Sequence, residues 1–285
     1  MKIVLTGATG FIGSHLLPEL AAEHDVVAVA RRPPDRAVEG VVWVEHDLTR
    51  SLAEARLPGR ADAIVHLAQS KRYREFPDGA DDVFAVNVRS TFELLQYATA
   101  AGVGAFVFAS TGGVYGSGER ALSEDDRLNP LNFYISSKYS AEALVRSYRQ
   151  LFRAITFRFF FVYGPGQRGM LVPSLLERVV GGGPITIQGE PGLRLNPIFI
   201  RDAIRVFEPA LALGRSELFN VAGDEVVTIR DLVRLMEEAT GRQAAVSHAA
   251  AAGGEGDLVG DNTRMKELLG VTPATALRDG LRSML

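Results

Sequence analysis

Six short apolar runs, mostly rich in β-branched residues, alternate with longer helix-like segments in the first part of the chain. The runs are KIVLTG, DVVAVA, VVWVEHD, AIVHLA, AFVFAS and AITFRFF. Strands that are apolar almost throughout are typical of a parallel sheet covered by helices on both faces. Segments such as GSHLLPELAAE, VNVRSTFELLQYATAAG and SKYSAEALVRSYRQLF supply such helices. The alternation predicts a doubly wound α/β domain.

Beyond residue 163 the pattern changes, because glycine- and proline-rich turns separate short elements. PITIQG and NPIFIRDAI are predicted strands, and TIRDLVRLMEEATG is a predicted amphipathic helix that ends at Gly241. We therefore expect a main domain over residues 1–163 and a smaller C-terminal lobe over residues 164–285. Residues 196–221 are expected to pack back on the main domain.

Charge and cysteine content argue against several classes of protein. The 285-residue chain has a formal net charge of -3 and no cysteine. Nothing therefore favours a nucleic-acid or membrane-surface partner, and disulfides and thiolate zinc sites are excluded. No apolar run is long enough to span a bilayer, and MKIVLTGATG leads directly into a strand and a glycine loop without a signal peptide. The five histidines show no metal-ligand spacing. We expect a cytoplasmic protein without a metal.

The segment TGATGFIG places Gly7, Gly10 and Gly13 between the first strand and the first helix. In a Rossmann domain such glycines allow a tight turn, close approach of a pyrophosphate, and close packing of helix on strand. A tight turn without a ligand is the alternative. The position directly behind the first strand favours dinucleotide binding.

The end of the second predicted strand bears on the choice of dinucleotide. An acidic residue there would bind the ribose 2′-hydroxyl of NAD, but the sequence has Arg31 and Arg32. Two cations favour the 2′-phosphate of NADP(H), with NAD(H) as the alternative and two solvated surface arginines as a third reading. Asp47, after the third strand, is placed to meet the adenine ring or to cap a turn.

The stretch NFYISSKYSAEALV carries Tyr134 and Lys138 one helical turn apart. A neighbouring ammonium and the positive nicotinamide of an oxidised cofactor would lower the pKa of a tyrosine, which then takes a proton from a substrate hydroxyl. Thr111, at the end of the fifth strand, would orient that hydroxyl. A packed tyrosine, a surface lysine and a strand-end threonine are the alternatives. Their joint occurrence behind a glycine loop favours the chemical reading.

The chain resembles the extended short-chain dehydrogenase/reductases, specifically the NAD-dependent epimerase/dehydratase group that acts on nucleotide sugars. The resemblance rests on TGATGFIGSHL, AIVHLAQ, FASTGGVYG, YISSKYSAE, FRFFFVYGPGQ, FNVAGDEVVTIRDLV and DNTRMKELLGVTP. It implies a transient 4-keto sugar, with Tyr134 as acid/base, Lys138 as its tuner and Thr111 as the hydroxyl partner. It also implies a substrate-binding C-terminal lobe. Further cofactor-binding positions implied by this matching are Phe11, Ile12, Leu48, Leu67, Ala68, Asn87, Ala109, Ser110 and Phe161. Implied substrate-binding positions are Gln69, Gly112, Arg168 and Arg194.

The sequence departs from this family at three places. Gly112 and Gly113 replace an Asp-Glu pair of sugar-nucleotide dehydratases, so dehydration lacks its acid and we expect a roomier pocket. Phe161 replaces an asparagine that helps to hold a diphosphate, and GEGD at 254–257 replaces an arginine-containing RPGD motif. Arg194, Arg168 and the basic stretch SKRYREF at 70–76 are candidate substitutes, the last with a solvated loop as its alternative.

Three functions remain open from the sequence. A sugar-nucleotide epimerase with retained cofactor comes first, and an NADPH-dependent keto-sugar reductase, favoured by the two arginines, is the alternative. A non-catalytic dinucleotide sensor is the third, against which the intact Thr111, Tyr134 and Lys138 count. Two segments, 90–100 and 140–151, resemble the helices that form a four-helix dimer contact in this family, so a homodimer is expected.

Overall fold

A computed structural model describes residues 1–34, 38–250 and 256–285. Contacts divide the chain into two compact units. The first unit comprises Met1–Val114, Pro130–Arg158 and Phe207–Phe219. The second comprises Tyr115–Asn129, Phe159–Val206 and Asn220–Leu285. The assignment of cofactor binding to residues 1–163 and of substrate binding mainly to residues 164–285 stays a prediction.

Strands and helices alternate along the described residues. The strands are β1 (Lys2–Thr6), β2 (Asp25–Ala30), β3 (Val41–Glu45), β4 (Ala63–His66), β5 (Ala105–Thr111), β6 (Arg153–Phe159), β7 (Val162–Tyr163), β8 (Pro184–Gln188), β9 (Arg194–Leu195), β10 (Ile198–Phe199), β11 (Glu217–Val221), β12 (Val227–Thr228) and β13 (Ala245–Ala249). The α-helices are α1 (Phe11–Glu23), α2 (Ala80–Phe84), α3 (Ser90–Ala100), α4 (Phe133–Ser147), α5 (Leu171–Gly181), α6 (Ile200–Ile204), α7 (Phe207–Ala212), α8 (Ile229–Thr240), α9 (Thr263–Leu269) and α10 (Leu277–Arg282). A π-helix, Ala85–Arg89, joins α2 to α3.

Within the residues that the structure describes, seven strands form one sheet in the order β11-β6-β5-β4-β1-β2-β3. The strand β1 pairs in parallel with β2 and with β4, where Thr6 lies opposite His66. The six predicted strands are β1 to β6, and the predicted doubly wound α/β fold is confirmed. The strand order reverses between β1 and β4, and ligands of such sheets bind at the carboxyl ends beside that point. The seventh strand, β11, was not predicted.

One face of this sheet packs against α3 and α4. Ile64 and Phe106 of the sheet are buried in one cluster with Leu94 of α3 and with Ala141 and Val145 of α4. Burying a large apolar side chain contributes about 1.5–3 kcal/mol. This packing fixes α4, the helix of Tyr134 and Lys138, against the sheet.

The segment VNVRSTFELLQYATAAG was expected to form one regular helix, but it begins with the π-helix. Ser90 Oγ donates to the Val86 carbonyl at 2.6 Å, and Thr91 Oγ1 donates to the Asn87 carbonyl at 2.7 Å. These hydroxyls compete with backbone N–H groups for the carbonyl oxygens, and this competition accompanies the change from π-helical to α-helical hydrogen bonding.

In the second unit, α8 begins with a capping box between Thr228 and Asp231 and ends, as predicted, before Gly241. The predicted strand PITIQG is β8, which pairs with β13. The prediction of a strand over NPIFIRDAI is correct only for Ile198–Phe199, because the next residues form the helix α6. No helix among the described residues combines the length and the apolar character needed to cross a membrane.

Candidate active site

The loop between β1 and α1 is built for close backbone packing. Gly7 has a φ of +73°, and its carbonyl accepts a bond of 2.9 Å from the Gly10 N–H. A Cβ on Gly7 would lie 2.6 Å from the Ala68 nitrogen, and one on Gly13 would overlap the Gly7 carbonyl oxygen. No side chain caps the first turn of α1. Its N–H groups and helix dipole suit the pyrophosphate of a dinucleotide.

The other predicted cofactor positions of the first unit lie along the carboxyl edge of the sheet. Ala109 and Ser110 are buried at the end of β5, Leu48 is buried after β3, and Leu67 and Ala68 are half-buried after β4. Within the described residues the buried Ser110 Oγ has no hydrogen-bond partner. Because a buried hydroxyl without a partner is costly, this atom fits a site completed by a ligand.

Arg31 and Arg32 follow β2 and are both exposed. Neither forms a hydrogen bond or an ion pair with another described residue. Asp47 accepts bonds from the Thr49 N–H at 2.9 Å and the Thr49 hydroxyl at 3.0 Å, so it caps a turn. Burial raises the pKa of Asp47, but the two Thr49 bonds and the Arg31 charge lower it further than burial raises it. Two cations and one ionised carboxylate thus lie beside the carboxyl ends of β2 and β3.

Asn87, in the π-helix, ties the loop after β4 to α4. Its Oδ1 accepts from the Ser70 N–H at 3.0 Å, and its Nδ2 donates to Ser137 Oγ at 2.9 Å. Ser137 Oγ in turn donates to the Tyr134 carbonyl at 2.6 Å. The amide of Asn87 is therefore engaged within the protein.

Tyr134 lies in the first turn of α4, whose N-terminus is capped by the Asn132 side chain. Its hydroxyl donates to Gln69 Oε1 at 3.0 Å, and its ring centroid is 5.0 Å from that of Tyr73. Burial, and secondly Tyr73, raise the pKa of Tyr134 above its ordinary value of 10.0. The lowered pKa expected from the sequence is therefore not a property of the protein alone, because desolvation disfavours the phenolate.

Lys138 is 2% exposed, and its Nζ lies 4.3 Å from the centroid of the Phe108 ring on β5. Across the described ranges no residue forms a hydrogen bond or an ion pair with this ammonium. Burial lowers the pKa of Lys138 to about 7, against an opposing effect of Glu142. A buried ammonium with unused donors can bind ligand hydroxyls at this position.

Thr111 ends β5 next to the first turn of α4. Its Oγ1 accepts from the Gly113 N–H at 3.1 Å. A Cβ on Gly113 would lie 3.4 Å from that oxygen and 3.2 Å from Ile135 Cδ1. The Ile135 side chain therefore occupies part of the space beside Gly113. The expectation of a roomier pocket stays a prediction. Gly112 is buried.

The second unit holds the remaining predicted positions. Phe161 is half-buried, with a φ of 44° that favours glycine or asparagine, and Arg168 is exposed. Arg194 is paired with Asp257, its Nε donating to Oδ2 at 2.6 Å. A second Arg194 nitrogen donates to the Glu119 carbonyl at 3.2 Å. Asp257 thus neutralises a cation that the sequence assigned to phosphate. The first two residues of GEGD lie outside the described residues.

The basic stretch 70–76 is also partly neutralised. Arg72 Nε donates to Glu75 Oε2 at 2.6 Å. Arg74 lies over the Tyr73 ring, with 5.1 Å between the guanidinium carbon and the ring centroid.

Two buried sets of polar side chains were not predicted from the sequence. Glu142 and Arg158 form an ion pair with side chains 5% and 4% exposed. His66 Nδ1 contacts Thr6 Oγ1 at 2.6 Å, and its Nε2 contacts Thr91 Oγ1 at 3.0 Å. A signal was present in each case, since Arg158 and His66 are polar residues inside apolar strands and Glu142 follows Lys138 by one helical turn.

The glycine loop behind β1 and the tyrosine–lysine pair beside the strand crossover define an enzyme of the short-chain dehydrogenase/reductase class. A sequence model of the NAD dependent epimerase/dehydratase family matches residues 3–222, and the chain belongs to this family.

Relatives extend over nearly the whole chain. An uncharacterized UDP-glucose epimerase of Bacillus subtilis, YtcB, is 31% identical over 303 residues, covering 99% of this chain and 96% of its own. A dTDP-4-dehydro-6-deoxy-D-allose reductase of Streptomyces bikiniensis is 31% identical over 307 residues, covering 98% and 93%. The solved UDP-glucuronic acid 4-epimerase of Bacillus cereus, in complex with UDP-glucuronic acid and NAD, has a TM-score of 0.85 at 27% identity, covering 99% and 97%.

Proposed function

We propose that this protein is an epimerase of a nucleotide sugar that acts through a transient 4-keto intermediate with a nicotinamide dinucleotide. The observation that carries the proposal is the buried Lys138 ammonium one turn from Tyr134, which no residue in the described ranges binds by a hydrogen bond or an ion pair. The solved relative that binds UDP-glucuronic acid and NAD supports the substrate and cofactor classes.

In the proposed mechanism Tyr134 Oη accepts the proton of the 4-hydroxyl and returns it after inversion. Because burial raises the pKa of Tyr134, a nearby positive charge is needed to stabilise the phenolate. In this proposal Lys138 supplies that charge, and an oxidised nicotinamide would add to it. Thr111 Oγ1 orients the reacting oxygen, and the nearby Gln69 amide positions Tyr134 Oη. A bound nicotinamide dinucleotide would supply the acceptor and donor of hydride, held by the glycine loop, Ser110 and Lys138. Arg168 and Arg194 of the second unit are proposed to meet the nucleotide, Arg194 together with Asp257.

A sugar screen read by NMR tests this function. The purified protein is incubated with UDP-glucose, UDP-galactose, UDP-glucuronic acid and the corresponding dTDP-hexoses, without added reductant. We expect the 4-epimer of one of them to appear, with no net consumption of cofactor. Reduction of a 4-keto sugar at the expense of NADPH, with no epimer formed from any sugar, would instead establish the reductase.

The keto-sugar reductase is the second candidate. The two exposed arginines after β2 favour it, because reductases exchange NADP(H) with solvent each cycle. The relative from Streptomyces bikiniensis is such a reductase by name.

We infer a preference for NADP(H) over NAD(H) from Arg31 and Arg32. NADP⁺ is expected to raise the Tm more than NAD⁺ at equal concentration, because the 2′-phosphate gains charge-assisted bonds of about 1.5–3 kcal/mol. The double variant Arg31→Ser/Arg32→Ser should lose this difference and keep the NAD⁺ response. Differential scanning fluorimetry measures both. A larger shift with NAD⁺ in the unmodified chain would refute the preference.

A cytoplasmic homodimer acting in carbohydrate metabolism completes the proposal. Phe92 lies in the expected contact segment 90–100 and is 45% exposed, while Phe84 and Tyr139 lie just outside the two expected segments, 90–100 and 140–151, and are 54% and 37% exposed. Exposed aromatic side chains on adjacent helices support an interface with a second copy of the chain.

A further inference from the structure

A buried ion pair lies next to the lysine of the candidate site. Arg158 Nε is 3.1 Å from Glu142 Oε1 and 3.2 Å from Oε2, and a terminal nitrogen of Arg158 is 2.7 Å from Oε2. Both side chains are almost fully buried. Burying two charges costs more than their attraction returns in many proteins, so such a pair is weak evidence for a stabilising role alone.

Glu142 shares a helical face with Lys138. The two residues are four positions apart on α4, and both are buried on the side that packs on the sheet. Arg158 fixes the carboxylate from β6, the strand next to β5, which contributes Phe108 beneath Lys138. The carboxylate is therefore held at a defined position instead of turning to solvent.

Among the described residues of the elements around this ammonium, Glu142 is the one buried carboxylate. Within the part of the chain that the structure describes, the charged and titratable groups on these elements are Tyr134, Tyr139, Glu142, Arg146, His66, Arg153, Arg158, Asp81, Asp82, Arg89, Glu93 and Tyr97. Asp82 accepts from Ser70, Arg89 donates to the Thr49 carbonyl, Glu93 accepts from Leu52 N and Tyr97 donates to the Pro58 carbonyl. Asp81 is exposed.

His66 lies beside Phe108, as Lys138 does, and it carries no negative charge that could compensate the ammonium. Its pKa is lowered to about 3, first by burial and secondly by Lys138. Glu142 is the group that raises the pKa of Lys138 against the effect of burial.

We propose that Glu142, held by Arg158, is a positioning residue that keeps the Lys138 ammonium charged inside its buried site. The proposed function enters this proposal at one point: a charged Lys138 would lower the pKa of Tyr134 and bind ligand hydroxyls. The state of the lysine itself can be measured without substrate.

The chain has four lysines, Lys2, Lys71, Lys138 and Lys266, so isotope-labelled lysine gives few side-chain NMR signals. Lys138→Arg identifies the signal of Lys138. We expect its titration midpoint to fall by about one pH unit in Glu142→Gln, because an adjacent opposite charge is lost. In Glu142→Asp, which keeps the negative charge, the titration midpoint of Lys138 should stay close to that of the unmodified chain.

Glu142→Gln leaves Arg158 buried without its partner and is at risk of unfolding. The double variant Glu142→Gln/Arg158→Met removes both charges and leaves a shorter, unbranched side chain at position 158, so it tests the carboxylate in a chain with no buried orphan charge. The double variant also removes the Arg158 cation, whose loss favours the ammonium, so the Lys138 midpoint should fall by less than in Glu142→Gln. A Lys138 midpoint that falls in neither variant would overturn the proposal.

Turnover against pH gives the second readout. If Lys138 must be charged, activity falls as pH rises through its pKa, and this fall should begin about one pH unit lower in Glu142→Gln and at an intermediate pH in the double variant. A loss of rate that is equal at every pH would indicate a merely structural pair and overturn the proposal. A shifted Lys138 midpoint in a chain that epimerises no sugar would leave the positioning role standing and refute the proposed function.

Discussion

Tyr134→Phe is expected to lower turnover by about 10²–10⁴-fold, the range typical of losing a positioned acid/base. The phenol hydroxyl is the group that exchanges a proton with the substrate in the proposed mechanism. Its bond to Gln69 is partly exposed, so the variant should unfold at nearly the same temperature. Dinucleotide affinity should also be retained, because Lys138, Ser110 and the glycine loop remain. Steady-state kinetics, thermal unfolding and a dinucleotide titration measure the three properties.

Tyr139→Phe is the matched control for this experiment. Tyr139 lies on the same helix, next to Lys138 in sequence, but its side chain is partly exposed and is assigned no role in the site. The same chemical change there should leave turnover unaltered. Equal activity in the unmodified chain and Tyr134→Phe would remove the basis of the mechanism and favour the sensor hypothesis.

Acidification is expected to destabilise the fold through His66. The imidazole is completely buried, and its pKa falls from 6.5 to about 3 in the folded state. A lowered histidine pKa means that the unfolded chain binds more protons between these two values. Stability is therefore fully present above about pH 6.5 and is lost as pH falls towards 3. At about pH 4.5 the contribution of this one residue should be a loss of about 3 kcal/mol.

The hydrogen bonds of His66 explain why it stays neutral. Thr91 Oγ1 donates to the Asn87 carbonyl, so it accepts from His66 Nε2. Nδ1 then accepts from the Thr6 hydroxyl. A proton on Nδ1 would break the latter bond and place an unpaired charge in the interior near Lys138.

His66→Gln tests this behaviour. At neutral pH the variant should be about 1–3 kcal/mol less stable, because buried bonds are lost. Between about pH 7 and pH 4.5 it should lose about 3 kcal/mol less stability than the unmodified chain, since glutamine does not titrate. Urea unfolding at the two pH values gives both numbers. Parallel losses in the two proteins would show that His66 does not carry the effect.

The sheet could be predicted from the sequence because each of its first six strands is an apolar run short enough to be a strand. The glycine loop and the Tyr134–Lys138 spacing were also readable, since one fixes backbone approach and the other a helical face. The hydrophobic pattern does not distinguish β11 from the segments around it, because ELFNV is no more apolar than they are.

Pairwise contacts between distant segments could not be predicted. The pairing of Arg194 with Asp257 and the filling of space at Gly113 by Ile135 depend on three-dimensional placement. The same is true of the raised pKa of Tyr134, because the sequence shows the neighbouring cation but not the depth of burial. Charge pattern alone therefore overstated how many cations remain available to a phosphate.

The two hydrogen bonds of the Asn87 side chain bear on the turnover rate in the proposed mechanism. One amide joins the segment that carries Gln69 to the helix that carries Tyr134. Tyr134, the proposed acid/base, and its amide partner Gln69 are thus arranged when the chain folds, before any ligand arrives. In the proposed mechanism the conformational entropy of these two side chains is therefore lost on folding and not in each catalytic cycle. Preorganisation of this kind lowers the activation barrier without any additional contact to the substrate.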